Sequence, residues 1–126
     1  MVGWTDPEGT RPHLGALLLA YYAPDGPLVY AGRAGTGISV RELARLSTRL
    51  KPLASDRMPL DVPPPGASRF GSPLVLSRVH WVRPELVAEV TYLEWTDDGL
   101  LRQVVYQGMR EDKPAREVRR ERPPVR

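Results

Sequence analysis

Ser39-Val40-Arg41-Glu42-Leu43-Ala44-Arg45-Leu46-Ser47-Thr48-Arg49-Leu50 is the clearest helical stretch in a chain whose other apolar runs are short or alternating. Ser39 and Glu42 have the spacing of a capping box, in which each side chain satisfies a free backbone N–H at the helix start. Val40, Leu43, Leu46 (or Ala44) and Leu50 fall on one face, as a helix half-buried against a core requires. Arg41, Arg45 and Arg49 recur every four residues on another face, where like charges repel modestly. Glu42, three residues before Arg45, offsets part of that repulsion. Such a face reads first as solvated and second as a ridge that could meet phosphates.

Outward from the helix the pattern is extended. Residues 14–22 form the first apolar run, and Ala23-Pro24-Asp25-Gly26 is a turn signal before a second short strand at 28–32. After the helix, residues 80–82 and 86–95 favour strand, with Pro84 as a break or bulge between them. Thr96-Asp97-Asp98-Gly99 is a hairpin turn, and residues 101–106 return from it. The sequence thus predicts a mainly β fold with one capped helix. The order suits an OB-fold, a five-stranded partly open Greek-key barrel. In that fold the helix follows the third strand. Only two strands are evident before it here, so a further one is expected within residues 3–12 or 30–36. Residues 1–118 are expected to form this domain, with 52–79 as a long Pro-rich loop and 119–126 as a charged C-terminal tail. Gly32-Arg33-Ala34-Gly35-Thr36-Gly37 lacks the spacing of a nucleotide-binding loop. It reads as a turn out of a strand, or secondarily as backbone N–H groups able to approach a nucleic-acid phosphate.

Composition narrows the classes. A chain of 126 residues is sized for one domain. With no cysteine, disulfides, thiolate metal sites and cysteine nucleophiles are excluded. No apolar run approaches the roughly 20 residues of a membrane span, and no leader pattern is visible at the N-terminus, so a cytoplasmic location is expected. Residues 1–109 carry 11 basic and 11 acidic side chains, whereas 110–126 carry 7 and 4, so the whole net charge of +3 falls in the last stretch. Sixteen of the 18 basic residues are arginine. Arginine's planar fork suits phosphate, although high-GC coding gives the same bias.

Enzyme signatures are few. His13 and His80 have no metal-ligand spacing, so the expected metal set is none. No nucleophile elbow accompanies them. Asp97 and Asp98 are most simply turn formers. Trp81, Tyr92 and Trp95 could stack bases, but large residues in strands more often pack a core. Arg110-Glu111-Asp112-Lys113 differs, because it sets two cations around a carboxylate. If the backbone turns there, Arg110 and Lys113 point the same way and can embrace a pyrophosphate leaving group. By itself the pattern is equally compatible with a charged surface turn.

The wider stretch Gly108-Met109-Arg110-Glu111-Asp112-Lys113-Pro114-Ala115-Arg116-Glu117-Val118 resembles motif VI of the covalent nucleotidyltransferases. More narrowly, it resembles the C-terminal OB domain of bacterial ATP-dependent DNA ligases of the D type. Trp4-Thr5-Asp6-Pro7-Glu8-Gly9, Gly15-Ala16-Leu17-Leu18-Leu19, Tyr30-Ala31-Gly32-Arg33-Ala34-Gly35-Thr36-Gly37 and the run from His80 through Trp81 and Arg83 to Val90 resemble the same domain, in the same order.

The resemblance implies a role in DNA repair and recombination. It implies ATP and Mg2+ as cofactors, held mainly by an adenylating domain, with Arg110, Asp112 and Lys113 orienting the ATP phosphates. It implies nicked or broken duplex DNA as substrate, with Arg33, Arg41 and Arg83 as candidate DNA contacts. It implies as partners a nucleotidyltransferase domain in cis or trans and an end-joining protein that binds DNA ends. The Lys-x-Asp-Gly nucleophile pattern is absent, since Lys51 precedes Pro52-Leu53-Ala54 and Lys113 precedes Pro114-Ala115-Arg116. Where the family often has an Arg-His-Pro-x-Phe run, this chain has Arg102-Gln103-Val104-Val105-Tyr106. The chain alone is therefore expected not to form an enzyme-adenylate. A non-catalytic DNA-binding module and an inactive fragment are the competing readings.

Overall fold

The computed structural model describes residues 1–7, 13–61, 79–97 and 99–118. Its longest ladder is the expected first hairpin, β2 (Leu17–Tyr22) against β3 (Leu28–Ala34). Ala23 N–H donates to Pro27 O at 2.8 Å and Gly26 N–H to Ala23 O at 2.9 Å, which closes the turn. Leu17 and Leu18 are both fully buried although they point to opposite faces, so this strand carries core on both sides.

The strand missing from the sequence pattern is β1 (Gly3–Trp4), within the first of the two segments expected to hide one. It is two residues long, too short for any alternation to show. Its place is central all the same: Gly3 pairs with Leu18 of β2 and with Trp81 of β4 (His80–Trp81). The resulting sheet runs β3-β2-β1-β4.

The two later strands are each broken in two. β5 (Ala88–Thr91) pairs with β8 (Val105–Met109), and β6 (Glu94–Trp95) with β7 (Leu101–Arg102). The hairpin forms where expected, with Thr96 N–H donating to Leu100 O at 2.7 Å. The break in the returning strand lies at Gln103, whose φ of 53° carries the backbone through the left-handed region. Beyond it, Thr36 bridges Val105 and accepts a bond from Tyr106 N–H at 2.9 Å. That contact joins the four-stranded sheet to the β5/β8 pair. Neighbours therefore follow the order of an OB-type barrel, with the helix after the third strand.

The glycine-rich turn serves this crossing. Gly37 has φ +87°, and a Cβ there would stand 2.8 Å from both Tyr106 O and Val105 Cγ1. Close approach of β8 explains this glycine without a phosphate.

α1 (Val40–Leu50) begins with the Ser39 half of the expected capping box, Ser39 Oγ accepting from Glu42 N–H at 3.1 Å, while the Glu42 carboxylate turns instead to Arg45 and the Tyr106 hydroxyl. Leu43, Leu46 and Leu50 are buried, joined by Ser47. Leu46, not Ala44, completes the inner face. Val40 does not belong to it: it is 61% exposed, because the first helical residue projects ahead of the surface that Leu43 covers. The core under α1 comprises Leu14, Leu17, Leu19, Ala34, Val82, Val104 and Tyr106. A second cluster of Val2, Leu18, Leu28, Tyr30 and Leu60 covers the other face of the sheet.

Part of the expected 52–79 loop is attached to the barrel. Ser55 N–H donates to Trp81 O at 2.9 Å, and Asp61 Oδ2 accepts from Leu28 N–H at 2.7 Å. Leu60 is buried between these anchors. Residues 62–78 of that loop and the 119–126 tail lie outside the described residues.

Three substitutions separate core from surface. Leu46→Ala should cost ~2–5 kcal/mol by leaving a cavity, and Gly37→Ala ~1–3 kcal/mol by forcing a strained φ against backbone, whereas Val40→Ala should change stability by less than about 0.5 kcal/mol; urea unfolding measures all three. Burial pushes the Tyr30 phenol up to about 12. A raised folded value means that its contribution to stability is complete below the ordinary tyrosine value of about 10 and is lost as pH rises through about 12. Alkaline unfolding followed by phenolate absorbance should show Tyr30→Phe less sensitive than the parent over that window.

Candidate phosphate-facing site

Arg110 is the last residue that the β5/β8 ladder holds, its N–H donating to Val87 O at 2.8 Å. Its guanidinium meets two carboxylates. Nε and Nη2 donate to Asp112 Oδ1 and Oδ2 at 3.0 and 3.2 Å, and Nη1 donates to Glu89 Oε2 at 2.8 Å. The bond to Asp112, then that to Glu89, raises Arg110 still further above its ordinary value. In return Arg110 holds the Asp112 carboxyl below the usual carboxylate range.

Glu111 turns the other way, toward α1. Its Oε1 lies 2.5 Å from Arg49 Nη1 and 3.8 Å from Arg45 Nη2, and the Arg49 bond holds its carboxyl low. Arg45 also pairs with Glu42 at 3.4 Å, and Glu42 Oε2 accepts from the Tyr106 hydroxyl at 3.4 Å. A line of polar groups therefore runs from the core of β8, over α1, to the turn after Arg110. Burial, reinforced by Glu42, keeps the Tyr106 phenol protonated well into the alkaline range. The arginine ridge read from the sequence is thus partly committed: Arg45 and Arg49 face carboxylates of this domain.

The turn is pinned at its far end too. Ala115–Glu117 form a short 3-10 turn, and Val118 O accepts from Tyr22 N–H at 2.8 Å. Arg110, Lys113, Ala115 and Val118 line a cleft of about 150 Å³, together with Tyr21, Val87, Tyr92 and Trp95. The structure therefore brings Arg110, Asp112 and Lys113 onto one turn, with Arg110 and Lys113 both lining the same cleft. Sequence reasoning missed Glu89 and Glu111. Glu111 had a signal in its neighbours, but Glu89 is visible only once the strand register is known.

The positive excess does not fall on this turn. Residues 110–118 carry three basic side chains (Arg110, Lys113, Arg116) and three acidic ones (Glu111, Asp112, Glu117), a net of zero. The excess of +3 comes entirely from 119–126, outside the described residues.

The remaining candidates lie apart. Arg33 is exposed on β3, opposite Leu18. Arg41 lies in the first turn of α1. Arg83 Nη2 is 3.4 Å from Pro52 O, beyond the helix's other end, and Nη1 is 3.5 Å from Glu85. A helix of this length separates Arg41 from that end by about 15 Å. Tyr92 and Trp95 pack on the main core cluster and Trp81 on the second, which accounts for them as structural residues. His80 shares a 2.6 Å hydrogen bond with Asp6 and stacks on Trp4 at 3.9 Å. Among the described residues no group of three His, Asp or Glu could hold a metal ion, and no helix is long and apolar enough to cross a membrane.

A mainly β fold with one helix after its third strand, carrying two cations on one turn beside a cleft, defines an OB-type domain. A family model described as the ATP dependent DNA ligase C terminal region matches residues 10–113, and the chain belongs to that family. It is 48% identical over 125 residues to the multifunctional non-homologous end joining protein LigD of Pseudomonas aeruginosa, covering 98% of this chain and 14% of that protein. To the end joining DNA repair protein LigD of Mycobacterium tuberculosis (strain H37Rv) it is 47% identical over 120 residues, covering 94% and 15%. The chain thus spans about one-seventh of the length of the curated relatives it matches. The crystal structure of the ligase domain from M. tuberculosis LigD superposes with a TM-score of 0.82 at 45% identity, over 96% of this chain and 37% of that one. A mycobacterial DNA ligase D complexed with ATP and MES superposes at 0.76 with 43% identity, over 96% and 36%. The OB-fold expectation is borne out.

The ion pairs make the turn after Arg110 a pH-sensitive attachment. Depressed folded values mean that the attachment is complete above the ordinary carboxylate value of about 4 and is lost only as pH falls through the lower folded values of Asp112 and Glu111. Carboxyl resonances followed by NMR should show these two protonating after the free carboxylates, and Glu111→Ala should speed amide exchange at residues 111–113 while leaving β2 and β3 protected.

Proposed function

We propose that this chain supplies the phosphate-orienting half of an adenylating active site and joins in the sealing of broken duplex DNA. The observation that carries the reading is that Arg110 and Lys113 line one cleft. Arg110 is held at the end of a strand ladder, and Lys113 stands three residues on. The other half in this reading is a domain that binds ATP and offers a lysine, supported by a matched mycobacterial ligase D complexed with ATP.

In the proposed step that lysine attacks the α-phosphate, the P–O bond to the β-phosphate breaks, and pyrophosphate leaves with the bonding pair. Charge grows on the β- and γ-phosphate oxygens as the bond breaks, so donors aimed there stabilise the transition state more than the ground state. Arg110 offers directed N–H groups and Lys113 a mobile point charge. Asp112 orients Arg110 through its two-point contact. Mg2+ would supply further charge neutralisation when bound. After release the domain swings away to help clamp nicked duplex, with Arg33, Arg41 and Arg83 as backbone contacts. The relatives' end-joining names support a role in non-homologous repair of breaks, beside a protein that binds DNA ends, in the cytoplasm of a bacterium. The near-neutral body supports weak, salt-sensitive DNA binding by this chain alone.

Joined to an adenylating domain, Arg110→Ala should slow enzyme adenylation about a hundredfold, as loss of one directed donor does elsewhere, with Lys113→Ala slower than the parent as well. Adenylation at parental rates in both variants, measured by transfer of label from ATP, would remove the assignment. The isolated chain should transfer no label.

A further inference from the structure

β5 and β8 run antiparallel, with Ala88 facing Met109 and Glu89 facing Gly108. Arg110 continues that ladder through its N–H bond to Val87 O. Glu89 and Arg110 are therefore diagonal neighbours on one face of the sheet, a separation that long side chains can bridge. Directly opposite Glu89 is Gly108, at φ +149° and with open space where a Cβ would stand. The Glu89 side chain reaches across the strand pair, its Oε2 accepting from Arg110 Nη1 at 2.8 Å. Both side chains are about half exposed, so register, not burial, sets the contact.

A guanidinium has five N–H donors in a rigid fork. Asp112 takes two, through Nε and Nη2, and Glu89 takes one on Nη1. One N–H on Nη1 and one on Nη2 remain. Asp112 sits on the same turn as Arg110 and moves with it. Glu89 sits on another strand and ties the guanidinium to the barrel itself.

We propose that Glu89 is a positioning residue for adenylation: it fixes the plane of the Arg110 guanidinium so that the two remaining donors face the departing polyphosphate. This rests on the phosphate-facing reading above. Glu89 need not touch the substrate. It lowers the freedom of a group that does, and so acts on the rate at saturating ATP more than on the binding of ATP.

The test is a double-mutant cycle in the chain joined to its adenylating domain, read by single-turnover adenylation across ATP concentrations. Glu89→Gln keeps the shape and removes the charge. It should lower the saturated rate roughly three- to fivefold, the scale of an exposed ion pair, with an unchanged melting temperature. In the Arg110→Ala background the same change should have no further effect. An equal slowing in that background would show that Glu89 does not act through Arg110 and would overturn the proposal. So would parental rates in Glu89→Gln alongside a slow Arg110→Ala, which would leave the site reading standing. Parental rates in Arg110→Ala itself would overturn the site reading and this proposal with it.

Discussion

The crossing of Thr36 and Gly37 against Val105 and Tyr106 is the constraint on which the rest of the molecule depends. One bridge and one 2.9 Å backbone bond there join the four-stranded sheet to the β5/β8 pair. Backbones come this close only because position 37 has no side chain. The same crossing places Tyr106 under α1, where its hydroxyl meets Glu42. It also sets where β8 ends, and so where Arg110 leaves the sheet.

From that end point the site is assembled by three independent attachments. The ladder holds the Arg110 backbone on β5, Glu111 ties the turn to α1, and Val118 returns it to β2. The Glu111 ion pair is exposed and individually weak. Together the three attachments restrict a charged turn that propensity alone would leave mobile. The cost of ordering cations is thus met during folding instead of when phosphate arrives, which is the sense in which such a site is preorganised. Four cations (Arg45, Arg49, Arg110, Lys113) face four carboxylates (Glu42, Glu89, Glu111, Asp112) in this region. The region is therefore electrically balanced, and attraction for a polyphosphate must come from directed donors more than from bulk charge.

The arginine ridge on α1 shows how one pattern can hold two roles. Read along the helix, Arg41, Arg45 and Arg49 are equivalent. In the fold, Arg45 and Arg49 face Glu111 and serve the domain, while Arg41 stands a turn away at the exposed end. Spacing on a helix gives a shared face; only the neighbouring element says what that face meets.

Much of this protein was legible in one dimension. The capped helix, both hairpin turns and the charged turn after Gly108 are local devices, governed by residues within four positions of one another, and each stands where the sequence puts it. Even the existence of a hidden strand followed from the order of elements. Three features were decided only in three dimensions. β1 is two residues long, so its pairing with β2 and β4 leaves no periodic trace. Val40 lies on the apolar helical face by angle but ahead of the core by position, and it is exposed. Glu89, 21 residues before Arg110, becomes its partner through strand register. Local chemistry is encoded by neighbours in the chain. Partnership across strands is set by how the chain returns on itself, and that depends on packing that no single segment contains.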